Sequence, residues 1–118
     1  AQARLTAQVA TLTADTDWAT IPLSLSGVTG DGLAIRRVGG RYVELSGRVM
    51  HAAFPTGSYQ VLATLAPEWC PSVVRRFPSN GNNGRAAAIE INPDGRLRYY
   101  TDQSLTWIGM DVMHWLLG

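Results

Sequence analysis

The sequence predicts an all-β fold, an antiparallel β-sandwich or jelly roll over residues 18–118, preceded by a short coiled-coil helix over residues 1–17. Three observations carry this. Apolar and polar residues alternate in several short runs, the period of a half-buried strand. Gly-, Pro- and Asn-containing turn signals separate those runs. After residue 18 no stretch shows a clear helical repeat.

The helical stretch comes first. Leu5, Val9 and Leu12 are spaced four and then three apart, the d, a, d rhythm of a heptad seam, which continues to Thr16 and stops. Ala7, Ala10 and Ala14 favour helix. About 14 residues is nonetheless marginal for an isolated helix in water. Partner chains must cover the stripe, or the helix packs on its own domain; the spacing leaves both open. Val at a with Leu at d mildly favours two strands over three.

Beyond Asp17 the pattern changes. Residues 33–50, LAIRRVGGRYVELSGRVM, read as two strands around a Gly39-Gly40 hairpin, with glycine supplying the positive φ of a tight turn. Val43, Leu45, Gly47 and Val49 fall on one face of the second strand, and Tyr42, Glu44, Ser46 and Arg48 on the other. Residues 60–71 form a strand ending at Pro67. Residues 85–101 hold two alternating runs around Asn92-Pro93-Asp94-Gly95, where proline presets φ and glycine takes the left-handed position. Ala87, Ile89, Ile91, Leu97 and Tyr99 are expected inside, with Glu90, Arg96, Arg98 and Tyr100 outside. The last run, LTWIGMDVMHWLLG, is apolar at both odd and even positions. It predicts a strand that is central or lies against another copy of the chain. An amphipathic helix is the competing reading, weakened by the aromatic and β-branched content and by Gly109.

Composition narrows the function. At 12.8 kDa the chain suits one domain able to bury a core without metal or disulfide. The single Cys70 cannot bridge within the chain and reads as a small buried hydrophobe. All ten basic residues are Arg, against nine acidic ones, for a net charge of +1. So balanced a chain argues against a nucleic-acid or anionic-membrane surface. The absence of Lys, with abundant Ala, Gly and Thr, points to a GC-rich genome. No run approaches the roughly 20 apolar residues of a membrane span. The missing initiator Met and the start within a helix lead us to expect a fragment of a longer chain.

Signatures of chemistry are sparse. His51, His114 and Cys70 are too few and wrongly spaced for a structural zinc site, and no metal or other cofactor is expected. There is no nucleophile elbow, and without Lys no P-loop. Among Glu44, Glu68, Glu90, Asp102 and Asp111 nothing selects a catalytic pair. No enzyme activity is expected. A binding surface remains. The stretch SNGNNGR, residues 79–85, offers Asn80, Asn82, Asn83 and Arg85, the donors and acceptors that sugar hydroxyls require. Asparagine and glycine also build ordinary turns, so the same loop has a purely structural reading. Trp69 and Tyr100 are the aromatic candidates singled out beside it, with Tyr59, Phe77 and Trp107 in reserve; an aromatic face stacks on the apolar face of a pyranose.

Four stretches together resemble a known family: WATIPLSL (Trp18 to Leu25), GLAIRRVGGRYVELSGRV (Gly32 to Val49), LATLAPEWCP (Leu62 to Pro71) and AIEINPDGRL (Ala88 to Leu97). They are similar to C-terminal head domains of tailed-bacteriophage receptor-binding or minor tail proteins, especially from phages of GC-rich Gram-positive hosts. Ile91 to Leu97 matches that family's I-x-x-D-G-x-V hairpin well. Leu65 to Pro71 stands in for its L-P-x-G-Y-R-P turn, departing at the aromatic and the Arg.

The resemblance implies a homotrimeric jelly-roll head on a helical stalk, located in the virion tail beside other tail or baseplate proteins. It implies attachment to host saccharide, teichoic acid or a related wall polymer by multivalent contacts. No binding residue carries over from it. An oligomer interface is expected at Leu5, Val9 and Leu12 and, from the two-faced last strand, at Trp107, Met110 and Trp115. A structural cap that trimerises or assembles a tail fibre without a ligand is the alternative.

Overall fold

The structure is a computed structural model that describes residues 16–39, 41–111 and 113–117. In chain order its strands are β1 (Ala19–Thr20), β2 (Thr29–Val38), β3 (Tyr42–Met50), β4 (Gln60–Thr64), β5 (Arg75–Asn80), β6 (Ala86–Ile91), β7 (Arg96–Tyr100), β8 (Trp107–Gly109) and β9 (His114–Leu116). Short 3-10 turns at Pro67–Trp69 and Asn82–Gly84 complete the regular structure, and no α-helix occurs among the described residues. The all-β expectation holds. The heptad seam of Leu5, Val9 and Leu12 lies outside the described residues.

Every pairing between strands is antiparallel. One sheet runs β1-β2-β3-β8 with β9 also on β3; the other runs β4-β7-β6-β5. Their inner faces share one core that includes Ile35, Val43, Leu45 and Val49 from the first sheet and Leu62, Ile89, Ile91, Leu97 and Tyr99 from the second, all 2% exposed or less. Burying each such aliphatic side chain stabilises by roughly 1.5–3 kcal/mol. Isolated bridges join the sheets at both margins, Leu23 to Ala63 and Gly81 to Ile108. At the second, a Cβ on Gly81 would lie 2.5 Å from the Trp107 carbonyl oxygen and 2.7 Å from Leu105 Cδ2, so only glycine lets the backbones meet.

The predicted hairpins form where the turn chemistry places them. Gly95 has φ of 98° and its N–H donates to Asn92 O at 2.9 Å, closing the β6–β7 turn. The inward set Ala87, Ile89, Ile91, Leu97 and Tyr99 is buried as expected. Glu90 departs from the alternation rule: it sits on the outer face yet is only 2% exposed. The arginines on its neighbouring strands explain this, since Arg76 and Arg98 both pair with its carboxylate and cover it.

The last segment is strand, and its two apolar faces have a different cause from the one its sequence predicts. β8 and β9 lie in line along β3, on the outer strand position of their sheet, with Val49 opposite Ile108 and Val43 opposite Trp115. One extra residue enters between them. Inward positions therefore switch from even (Ile108, Met110) to odd (Met113, Trp115), as a β-bulge dictates. Gly47 faces this bulge, its O accepting from Met110 N at 2.8 Å and its N–H donating to Asp111 Oδ1 at 2.7 Å. Met110 and Trp115, at 0% and 2% exposure, are consumed by the chain's own core and present no surface to a second copy. That part of the expected oligomer interface is corrected by the bulge; Trp107 alone stays partly exposed.

Strand directions give the sandwich two distinct ends. The chain joins beside the end of β2, where Thr16 N donates to Arg37 O at 2.9 Å and Arg37 N to Thr16 Oγ1 at 2.8 Å. The β2–β3 turn, the Pro67–Trp69 turn and the 92–95 turn share this joining end. Segments 51–59, 81–85 and 101–106 form the far end, cross-linked by His51 N to Thr106 O (3.0 Å), Phe54 N to Leu105 O (3.1 Å) and Gly57 N to Thr101 O (2.9 Å).

Candidate functional site

The far end is built around two fixed anchors. Tyr99, inside the core, donates its hydroxyl to Pro55 O at 2.8 Å, tying the 51–59 segment to β7. Burial pushes that phenol up to about 12, so it stays a neutral donor. His51 accepts from Ala53 N at Nδ1 (2.9 Å) and meets Ser26 O through Nε2 (3.0 Å), an arrangement that requires the neutral Nε2–H tautomer. This histidine holds backbone in place just beyond the end of β3.

Five of the six predicted binding residues share this end. Asn80 closes β5 on the outer face, and Asn82, Asn83 and Arg85 form the tight turn that follows. That turn is far more ordered by contacts than its Gly-rich composition predicts. Asn82 Oδ1 accepts from Thr106 N at 2.7 Å, Arg85 Nη1 donates to Ser104 O at 2.8 Å, and Gly81 N donates to Arg85 O at 2.7 Å. Asn82 and Arg85 thus spend hydrogen bonds on the fold. Asn83 sits at φ 60°, where asparagine is among the residues that best tolerate the left-handed region, and its side chain is exposed. Tyr100 stands on the outer face of β7, its ring 5.6 Å from that of Tyr59. Trp69 belongs elsewhere. It lies in the joining-end 3-10 turn, half-buried, its carbonyl accepting from Trp115 Nε1 at 2.8 Å.

Register sets small side chains between larger ones on the outer face of the second sheet. Pro78, Ala88 and Tyr100 form one cross-strand row, and Asn80 with Ala86 the next. The alanines are the small residues; Tyr100 and Tyr59 stand on one side, and Asn80 marks the other. In the row below, Arg98 lies over the Tyr59 ring at 4.7 Å and bonds Glu90, which Arg76 reaches at 3.0 Å. The Arg98 hydrogen bond is the largest influence lowering the Glu90 pKa, against the opposing effect of burial. Glu90 therefore stays ionised and locks both guanidinium groups in place.

A cleft of about 410 Å³ opens at the β5–β8 margin, lined among others by Phe77, Ser79, Asn80, Trp107 and Asp111. Trp107 carries Arg48 at 5.4 Å from its ring centroid. Ser79 Oγ donates to Gly109 O at 2.5 Å, holding the cleft's two walls together. The aromatic rings, amide and carboxylate make a donor, acceptor and stacking set suited to a sugar ring. Asn80 and Trp107 were legible in the sequence as polar and aromatic candidates. Ser79 and Asp111 were not, because only the fold brings positions 79 and 111 into one cleft.

Comparison with known proteins leaves the family open. No protein-family model matches this chain, and no curated protein matches its sequence. The site must be read from its own chemistry. Among the described residues no group of three or more His, Cys, Asp or Glu is placed to hold a metal ion. Burial, with Asp94 and Glu68 adding to it, pushes the Cys70 thiol up, away from the reactive thiolate. No helix among the described residues is long and apolar enough to cross a membrane.

Proposed function

We propose that this chain is the jelly-roll head of a tailed-phage receptor-binding or minor tail protein that attaches the virion to host cell-surface saccharide. One observation carries the reading: the chain joins the sandwich at one end, through Thr16 and Arg37, while exposed Asn83, Tyr59 and Tyr100 and the Trp107 cleft lie towards the other. A stalk-mounted adhesin needs that polarity. The sequence resemblance supplies the phage context, the coiled-coil stalk through Leu5, Val9 and Leu12, and the homotrimer. Trp18, 44% exposed with Arg36 4.5 Å above its ring, marks where stalk becomes head.

In this reading each head binds weakly and three heads per spike supply avidity. Aromatic stacking and hydrogen bonds to sugar hydroxyls give the contact, with no covalent step. The test is labelled protein incubated with wall fractions of GC-rich Gram-positive bacteria. We expect saturable binding that weakens when Trp107 or Asn83 is replaced by Ala. A chain that assembles into trimers yet binds no wall fraction leaves an assembly role alone and refutes the adhesin.

A further inference from the structure

The cleft that holds Trp107 does not end at Phe77. On the other side of that ring lies a second cavity of about 380 Å³, with Arg75, Arg76, Trp115, Tyr42, His114 and Leu116 among its lining residues. The two form a groove along the margin where β5 and β9 are not hydrogen-bonded to each other. Phe77 and Trp115 stand 6.4 Å apart as its apolar floor.

Arg75 sets the chemistry of this second cavity. It pairs with Ile91 and so turns towards the inner side of its sheet, half-buried at the margin. Its Nε is buried without a hydrogen-bond partner among the described residues. An unpaired buried guanidinium nitrogen is costly, about 1–3 kcal/mol. Arg36 pairs with Glu44 at 2.6 Å and Arg76 with Glu90; Arg98 also leaves its Nε without a partner among the described residues, yet its guanidinium pairs with Glu90, whereas Arg75 has no ion pair among them. No carboxylate lines the cavity. Tyr42 and His114, their rings 6.5 Å apart, bring a hydroxyl and an imidazole to the opposite wall.

We propose that this cavity is a subsite for a singly charged oxyanion, so that the groove takes an acidic glycan: a sugar in the Trp107 cleft and a carboxylate or phosphate diester on Arg75. The naming of the glycan rests on the function proposed above; the oxyanion subsite stands on its own geometry. The guanidinium fork fits either anion in two-point fashion. Phe77, Trp115 and Leu116 put apolar surface beside the guanidinium, which favours an anion carried on an organic body.

The test titrates the 118-residue protein with dimethyl phosphate, glucuronate and, as a neutral control, glucose. NMR follows the Trp115 indole N–H and the Arg75 Nε–H. We expect saturable shifts of both signals with one or both anions and none with glucose, the two anions separating a phosphate-bearing from a uronic-acid ligand. Arg75→Gln should weaken the response roughly tenfold or more, as loss of a charge-assisted pair does. Arg75→Lys, which keeps the charge without the fork, should fall between, and Arg96→Gln, whose guanidinium pairs with Asp94 outside the cavity, should match the wild type. Absence of saturable shifts, an equal response to glucose, or an undiminished response in Arg75→Gln overturns the subsite. Wall binding is scored separately. Binding to wall fractions without either anion refutes the subsite alone, and anion binding without wall binding refutes the adhesin alone.

Discussion

Glu90 shows how much one outward-facing residue can organise. It is buried because Arg98 and Arg76 cap it, and its lowered pKa follows first from the Arg98 hydrogen bond. A carboxylate depressed in the folded state contributes stability that is present above its unfolded value, near 4.3, and is lost as pH falls through the lower folded value. Unfolding measured against pH should therefore show stability declining below about pH 4.3, and Glu90→Gln should flatten that decline. At neutral pH Glu90→Gln should cost about 1–3 kcal/mol by leaving two guanidinium groups without their counter-charge. A variant with wild-type stability and an unchanged acid limb contradicts this account. The rule that alternate strand residues face water predicted Glu90 outside; the rule fails because two arginines, from strands on either side, close over it.

Strands differ in how far their own residues announce them. β3, β6 and β7 are legible because their period-two pattern and Gly or Pro turns are local, and their inward positions other than Gly47 are buried. β5 is harder to read, since Pro78 sits inside it opposite Ala88; proline is tolerated because that strand is the outermost of its sheet. The bulge between β8 and β9 is not local at all. It depends on Asp111 reaching Gly47, 64 residues away, so an apolar run on both faces looked like an interface. Asp111→Ala should cost about 1 kcal/mol in chemical denaturation by freeing the Gly47 N–H. Trp115→Ala should cost about 3–5 kcal/mol, because the indole fills the core and donates to Trp69 O. Gly81→Ala should loosen the β5–β8 margin, lowering stability by about 1–3 kcal/mol as its methyl meets the Trp107 carbonyl. Faster amide exchange at Ile108 would accompany it; an unchanged exchange rate would falsify the close-approach argument.

At the scale of the whole molecule the proposed function gives the two ends different work. Where the chain joins, Thr16 N donates to Arg37 O and Arg37 N to Thr16 Oγ1, fixing Thr16 beside the end of β2, the end at which the proposed reading puts the stalk. At the far end, the sequence groups Asn80, Asn82, Asn83 and Arg85 because they are adjacent in the chain, and the fold brings the aromatic candidates Tyr59, Tyr100 and Trp107 towards them from three other segments. Trp69 fell outside because exposure and aromatic character say nothing about which end a turn occupies. The division predicts that substitutions at the far end change adsorption while leaving assembly intact. The most direct test is saturation binding of the labelled protein to isolated wall polysaccharide of GC-rich Gram-positive bacteria, with Trp107→Ala and Asn83→Ala alongside. The account predicts saturable wild-type binding, weakened several-fold in the variants at unchanged oligomeric state. Binding to no wall fraction, or binding that neither substitution alters, would contradict it.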